Sequence, residues 1–259
     1  IAQFASIVGV FGMSALVALV STALAYVIVS RSPDSMITVG VTAAVLMTVT
    51  TWGHRRLEHN ALVEQGRPVR VALIQGNIPQ DEKWQVEQRA ETLARYRALN
   101  REALGARIIV WPESAIPMLA HDAGIFLESI RRESRAQGSD VMIGLLRFDF
   151  DTGEIRNGLY SMSAEGDGWY YKRRLVPFGE FFPVPATVRR WMRLMSLPYY
   201  DMTPGADQQP ALAAGGERLG ATICYEDAYG SEQLAVLAEA TLLVNVTNNA
   251  WFGDSAAPH

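Results

Sequence analysis

Cysteine is nearly absent. The 259 residues contain one, Cys224. A single thiol cannot close an intrachain disulfide, so this is not a disulfide scaffold. Histidine is also scarce. His54, His59, His121 and His259 stand in no metal-ligand spacing, and no metal is expected. Basic clusters are missing. Lys and Arg number 23 against 27 Asp and Glu, a net charge of -4. Short basic runs such as 172–174 are too little for a nucleic-acid footprint, so no nucleic-acid partner is expected. There is no G-x-S-x-G elbow, no Walker A loop and no G-x-G-x-x-G turn. That removes the serine-elbow and nucleotide-loop readings, and no cofactor is expected.

Charge is missing locally as well. Residues 1–30 carry no charged side chain, and neither do residues 35–53. From His54 onward the chain has an ordinary charged composition. The run "FASIVGVFGMSALVALVSTALAYVIV" (4–29) gives roughly 39 Å of helix against a hydrocarbon core of about 30 Å. It lacks the charged n-region of a signal peptide, and its apolar stretch is too long for one. "SMITVGVTAAVLMTVTTWG" (35–53) is a shorter, Thr-rich second span. "RSPD" (31–34) between them reads as a tight turn, so 1–56 is expected to form a transmembrane helical hairpin. Gly9, Gly12, Ser14 and Gly40 are small enough for close helix packing, and Trp52 sits at an interfacial position. Arg55, Arg56, Arg67 and Arg70 follow the second span, against Arg31 alone in the turn. Taken alone, that asymmetry places the downstream domain on the cytoplasmic side.

Residues 67–259 read as a separate α/β domain. Strands are expected at 69–75, 106–113, 140–148, 157–164, 168–176, 217–226 and 241–248. Helices are expected at 85–104, where Leu93, Tyr96 and Leu99 fall at helical spacing, at 125–138 and at 229–240. Alternating strands and helices predict layered sheets, and the continuously apolar strands predict burial on both faces.

Three strand ends carry an ionisable residue just past an apolar run: Glu113 in "IVWPESAIP", Lys172 in "YYKRRLVPFGE" and Cys224 in "TICYED". Singly, the first two are ordinary surface charges and the third a small buried hydrophobe. Together at the carboxyl ends of strands they form a nucleophile system. The thiolate attacks, a carboxylate takes the thiol proton, and an ammonium stabilises the thiolate and a developing oxyanion. The backbone N–H of Tyr225 is a second candidate oxyanion donor.

On these three motifs, in this order, the sequence resembles the nitrilase (carbon–nitrogen hydrolase) superfamily with its Glu-Lys-Cys triad. "QGNIPQDEKW" (75–84), "LVPFGEFFP" (175–183), "NVTNNAWFGDSAAPH" (245–259) and the apolar N-terminal spans resemble one branch, the apolipoprotein N-acyltransferases. The resemblance implies a four-layer αββα sandwich. It implies acyl transfer from a phospholipid, through a cysteine thioester, to the N-terminal diacylglyceryl-cysteine of a lipoprotein. It places the domain in the periplasm, at the bacterial inner membrane, against the flank-charge count. It makes Glu113 the general base, Lys172 a stabiliser of the tetrahedral intermediate and Cys224 the acyl carrier. Glu180 matches the family's second glutamate, Tyr225 and Glu226 match residues flanking the nucleophile, and Trp84 matches a tryptophan on a loop over the site. That branch has further membrane helices, so the chain is expected to be a segment of a longer protein. The apolar stretches 180–185 and 250–254 are expected to expose Phe181, Phe182, Trp251 and Phe252 toward lipid. The triad itself also fits a membrane-anchored amidase acting on a small amide. A non-catalytic membrane scaffold is disfavoured by the intact Glu-Lys-Cys set.

Overall fold

In the computed structural model, residues 1–30, 32–59, 67–185, 187–188, 201–253 and 255 are described. They form two compact units, 1–68 and 69–259. The first is the hairpin α1 (Ala5–Ser30) and α2 (Pro33–Glu58). Both helices are long and apolar enough to cross a membrane. Most of their large apolar side chains, such as Phe11, Val29 and Met47, face outward. A water-soluble helix pair would bury them. Gly9, with φ 64° and ψ -174°, interrupts α1. The polar turn is shorter than 31–34: Pro33 takes the first position of α2, where its missing N–H costs nothing, with Ser32 as N-cap. Arg31 lies outside the described residues.

The second unit holds two sheets. The first has the order β1 (Val71–Leu73), β2 (Ile108–Val110), β3 (Asp140–Phe148), β4 (Ile155–Ser163), β5 (Gly166–Tyr171). Its first three strands are parallel and the rest antiparallel. The second has the order β6 (Leu212–Ala214), β7 (Glu217–Ile223), β8 (Leu242–Val246). Here β6 and β7 are antiparallel, while β7 and β8 are parallel with Ile223 opposite Val246. Between the sheets, Ile108, Val110, Met142, Leu159 and Tyr170 pack with Leu212, Leu219, Ala221, Ile223 and Val246. On the outer face of the first sheet, Ile109, Val141, Ile143 and Leu145 pack with Tyr96, Leu127 and Ile130. Those last three come from α4 (Arg89–Glu102) and α5 (Gly124–Arg135). α6 (Gly230–Leu237) covers the second sheet, where Gly220 leaves room for Val236. The order helix, sheet, sheet, helix is the αββα sandwich of the nitrilase fold.

Some expected elements are shorter. The strand expected at 168–176 ends at Tyr171, and that expected at 217–226 ends at Ile223. Both chemical residues therefore sit just past the ladders, where the backbone can turn. The sequence pattern gives no sign of the short helix α3 (Gln80–Lys83) or of β6. The turn into β7 is Gly215-Gly216, with φ 64° and 80°. Two left-handed residues are what a tight hairpin turn demands.

Candidate active site

Trp111 and Pro112 carry the chain from β2 to Glu113. Trp111 is fully buried and stacks on Tyr96, ring centroids 4.9 Å apart, while its Nε1–H donates to Asn100 Oδ1 at 3.2 Å. Glu113 then lies against β3 at Gly144. A Cβ on Gly144 would fall 2.6 Å from Glu113 Cα and collide with Pro112 O. The missing side chain is thus what lets the Glu113 backbone approach β3 this closely.

Glu113 is 6% exposed. Its Oε1 accepts from Lys172 Nζ at 3.0 Å and from Asn157 Nδ2 at 2.8 Å; its Oε2 accepts from the Asn248 N–H at 3.1 Å. Lys172, 1% exposed, follows β5, and its N–H donates to Asn157 O at 2.8 Å. Its ammonium donates equally to Glu180 Oε1 at 3.0 Å. Burial draws the Lys172 pKa down, but Glu113 and Glu180 outweigh it and hold the value above that of an ordinary lysine. Glu180 is fixed in turn: Oε1 also accepts from Asn157 Nδ2 at 2.9 Å, and Oε2 accepts from the Val176 N–H at 2.8 Å. Asn157 on β4 therefore bridges both carboxylates. The sequence does not mark it out, because an Asn inside a strand carries no local signal; only the β4–β5 pairing brings it beside Lys172.

Cys224 opens a 3-10 turn, Cys224–Ala228, after β7. Its φ is 59°, in the left-handed region that a non-glycine residue enters at a cost of about 1–2 kcal/mol. Three other non-glycine residues share that region among the described residues: Asn77 (49°), Ser114 (48°) and Phe178 (64°). Ser114 follows Glu113, Phe178 lies between Lys172 and Glu180, and Asn77 lines the cavity beside the site. Backbone strain is thus gathered at the site motifs, where functional constraints commonly hold it. Burial first, then the Glu113 charge, raises the Cys224 thiol above its ordinary pKa. A Thr247 hydrogen bond, the Lys172 charge and the Tyr225 backbone pull the other way. The thiol therefore rests protonated at neutral pH, beside a carboxylate.

Glu226, 1% exposed, does not reach toward the triad as a reagent. It accepts four hydrogen bonds: from the N–H groups of Arg173 (2.6 Å), Arg174 (3.0 Å) and Ile223 (2.8 Å), and from Tyr170 Oη (2.9 Å). One carboxylate thereby ties the Cys224 turn to the segment just past Lys172. Tyr225 sends its hydroxyl to Leu175 O at 2.9 Å, and its ring lies 5.9 Å from Lys172 Nζ. Trp84 is the C-cap residue just past α3 and is half-exposed, with no hydrogen bond or ring contact to the triad among the described residues. A cavity of about 1250 Å³ opens beside Glu113, lined by Asn77, Gln80, Lys83, Pro112, Thr247 and Asn248 among others.

The expected ring of exposed aromatics needs correction. Phe181 and Phe182 are half-buried, because the 176–184 segment folds back on itself: Phe178 N–H donates to Phe181 O at 2.7 Å, and the Phe178 and Phe182 rings meet edge to face at 6.1 Å. The exposed ones are Phe178, at 70%, and Phe252, at 49%. The Trp251 side chain lies outside the described residues.

Residues 70–259 match the family model of the carbon-nitrogen hydrolases. The chain belongs to that family. Its carbon-nitrogen hydrolase relatives include an apolipoprotein N-acyltransferase of Methylococcus capsulatus, 39% identical over 99% of this chain and 50% of the relative. A second, of Nitrosomonas europaea, is 34% identical over 100% of this chain and 51% of the relative. The chain thus spans about half the length of these curated relatives. Among solved structures it is similar to a carbon-nitrogen hydrolase from Helicobacter pylori G27, with TM-score 0.47, 16% identity, 69% of this chain and 59% of that one. It is also similar to a mutant amidase of the nitrilase superfamily from Nesterenkonia AN1, with TM-score 0.47, 18% identity, 72% of this chain and 67% of that one.

Proposed function

We propose that this chain carries the catalytic site of an apolipoprotein N-acyltransferase, held at the bacterial inner membrane by the α1–α2 hairpin with the site facing the periplasm. The acyl donor is a phospholipid and the acceptor the α-amino group of a diacylglyceryl-cysteine at a lipoprotein N-terminus. One observation carries the reading most: the match to relatives of that name runs through the apolar hairpin as well as the triad, across 99% of the chain.

In the first half-reaction Glu113 accepts the Cys224 proton as Sγ attacks the ester carbonyl. Because the thiol rests protonated, proton transfer accompanies attack. Lys172 and the Tyr225 N–H stabilise the tetrahedral oxyanion. The carbon–oxygen bond breaks, Glu113 returns the proton to the leaving alkoxide, and a lysophospholipid departs. In the second half-reaction the neutral α-amine attacks the thioester and gives a proton to Glu113. The carbon–sulfur bond breaks, and the thiolate recovers its proton. Asn157 and Glu180 orient Lys172 and Glu113, and Glu226 keeps the two strand ends in register.

The test has two stages. Incubation with phospholipid vesicles should add one acyl mass to Cys224. Adding a diacylated lipopeptide should move that mass to the peptide amine. Absence of any adduct, with Cys224-dependent release of ammonia from a small amide, would show an amidase instead.

A further inference from the structure

Lys83 ends α3, next to the Trp84 that the family resemblance singles out. Its side chain is 3% exposed and lines the cavity beside Glu113. No described residue accepts a hydrogen bond from its Nζ or pairs with it within ion-pair distance. The charge that does reach it is that of Glu113, whose two oxygens are already taken by Lys172, Asn157 and Asn248. Burial lowers its pKa to about 8, the Glu113 charge offsetting part of the drop, so Lys83 is still an ammonium at neutral pH. A buried ammonium without an acceptor is unfavourable. The open side of this one is the cavity. The same wall carries Gln80, whose Oε1 accepts from Asn248 Nδ2 at 2.9 Å, leaving Gln80 Nε2 as a further donor.

We infer that Lys83 is the anion-binding residue of the acyl-donor pocket, taking a phosphodiester oxygen of the phospholipid while its ester carbonyl lies at Cys224. This rests on the proposed acyltransferase activity. Thr247, which hydrogen-bonds the Cys224 thiol, lines the same cavity as Lys83, and a phosphodiester sits only a few bonds from the ester carbonyls of a glycerophospholipid, so a donor with its carbonyl at Cys224 reaches that cavity with its phosphate. Free inorganic phosphate offers the same oxygens, and the test separates the two.

Acylation of Cys224 is followed by intact mass in the wild-type chain, Lys83→Met and Lys83→Arg. The donors are phosphatidylethanolamine and the phosphate-free diacylglycerol, each in the same neutral micelles. Lys83→Met is expected to lower the preference for the phospholipid by about tenfold or more, the scale of one charge-assisted hydrogen bond. Lys83→Arg should restore most of it. Glycerophosphoethanolamine should slow the diacylglycerol reaction in the wild type and not in Lys83→Met. An unchanged preference overturns the inference, and so does inorganic phosphate competing as well as the phosphodiester, which would make this a free-phosphate site. At pH 7 Lys83→Met should also melt no lower than the wild type, because it removes a largely buried charge that no protein acceptor satisfies and that Glu113 offsets only in part; a lower melting temperature would mean a structural partner and would equally overturn the assignment. If the wild type reacts with neither lipid yet hydrolyses a small amide through Cys224, the acyltransferase proposal fails separately. Lys83 is then judged by whether the phosphodiester slows amide turnover in the wild type and not in Lys83→Met.

Discussion

Lys172 Nζ lies 3.0 Å from Glu113 Oε1, and both side chains are buried. The same ammonium holds Glu180 at 3.0 Å, so two carboxylates share one cation. Lys172→Met should therefore leave Glu113 and Glu180 facing each other without a counter-charge. Removing one partner of a buried pair costs about 3–5 kcal/mol, and a loss of that size is expected in urea unfolding at pH 7. Adding Glu180→Gln to Lys172→Met removes one of the two facing charges and should recover part of the loss. No recovery would mean that packing, and not charge, accounts for it.

Cys224→Ala should abolish acyl-enzyme formation, because the chain has no second thiol. Intact mass after incubation with phospholipid reads this directly. An adduct that persists in the alanine variant would remove Cys224 from the mechanism.

Glu113→Gln keeps the shape and one acceptor oxygen but cannot take a proton. A loss of about 10²–10⁴-fold in acylation rate is expected. The fold should survive, since Lys172 keeps Glu180. The same variant should alter the thiol. Burial and then the Glu113 charge raise the Cys224 pKa. Deleting a negative neighbour favours the thiolate, so the pH midpoint for alkylation by iodoacetamide should fall, while burial keeps it from dropping far. A midpoint that rises would contradict the assigned electrostatics.

Glu226→Ala should unfold the chain at clearly lower denaturant. Three backbone N–H groups and one hydroxyl lose their acceptor. At about 1–3 kcal/mol for each buried donor left unpaired, and with partial relief from water, a loss of about 3 kcal/mol or more is expected. Glu226→Gln retains one acceptor oxygen and should lose less. If Glu226 were instead a reagent, the alanine variant would be stable and only slow.

Phe178→Ser and Phe252→Ser should leave thermal stability nearly unchanged, because both rings face solvent. Acylation by phospholipid vesicles should slow, as expected of exposed apolar side chains that meet lipid. Phe182→Ser is the contrast: half-buried against Phe178, it should destabilise. Normal vesicle acylation in the first two variants would end the idea that this rim meets the membrane.

The sequence by itself determined the periodic and compositional features. Two uncharged runs about as long as a bilayer core is thick, or longer, could only be the long apolar helices, and β3 was readable to the residue because an apolar run between Gly-Ser and Asp-Phe-Asp admits little else. The residues Glu113, Lys172 and Cys224 were legible because each lies just past an apolar strand. Tertiary structure decided the rest. Asn157, Lys83 and Gly144 carry no local signal. Their meaning comes from what the fold places beside them: a carboxylate pair, a cavity wall and the Glu113 backbone. The strands after which Lys172 and Cys224 sit end several residues earlier than composition implies, because Glu226 draws off the Arg173, Arg174 and Ile223 N–H groups that a longer ladder would have used. Which aromatics face outward was likewise a tertiary matter. The apolar content of 178–182 is the same whichever ring is covered, and the fold-back at Phe178 chose Phe182 for burial and left Phe178 exposed.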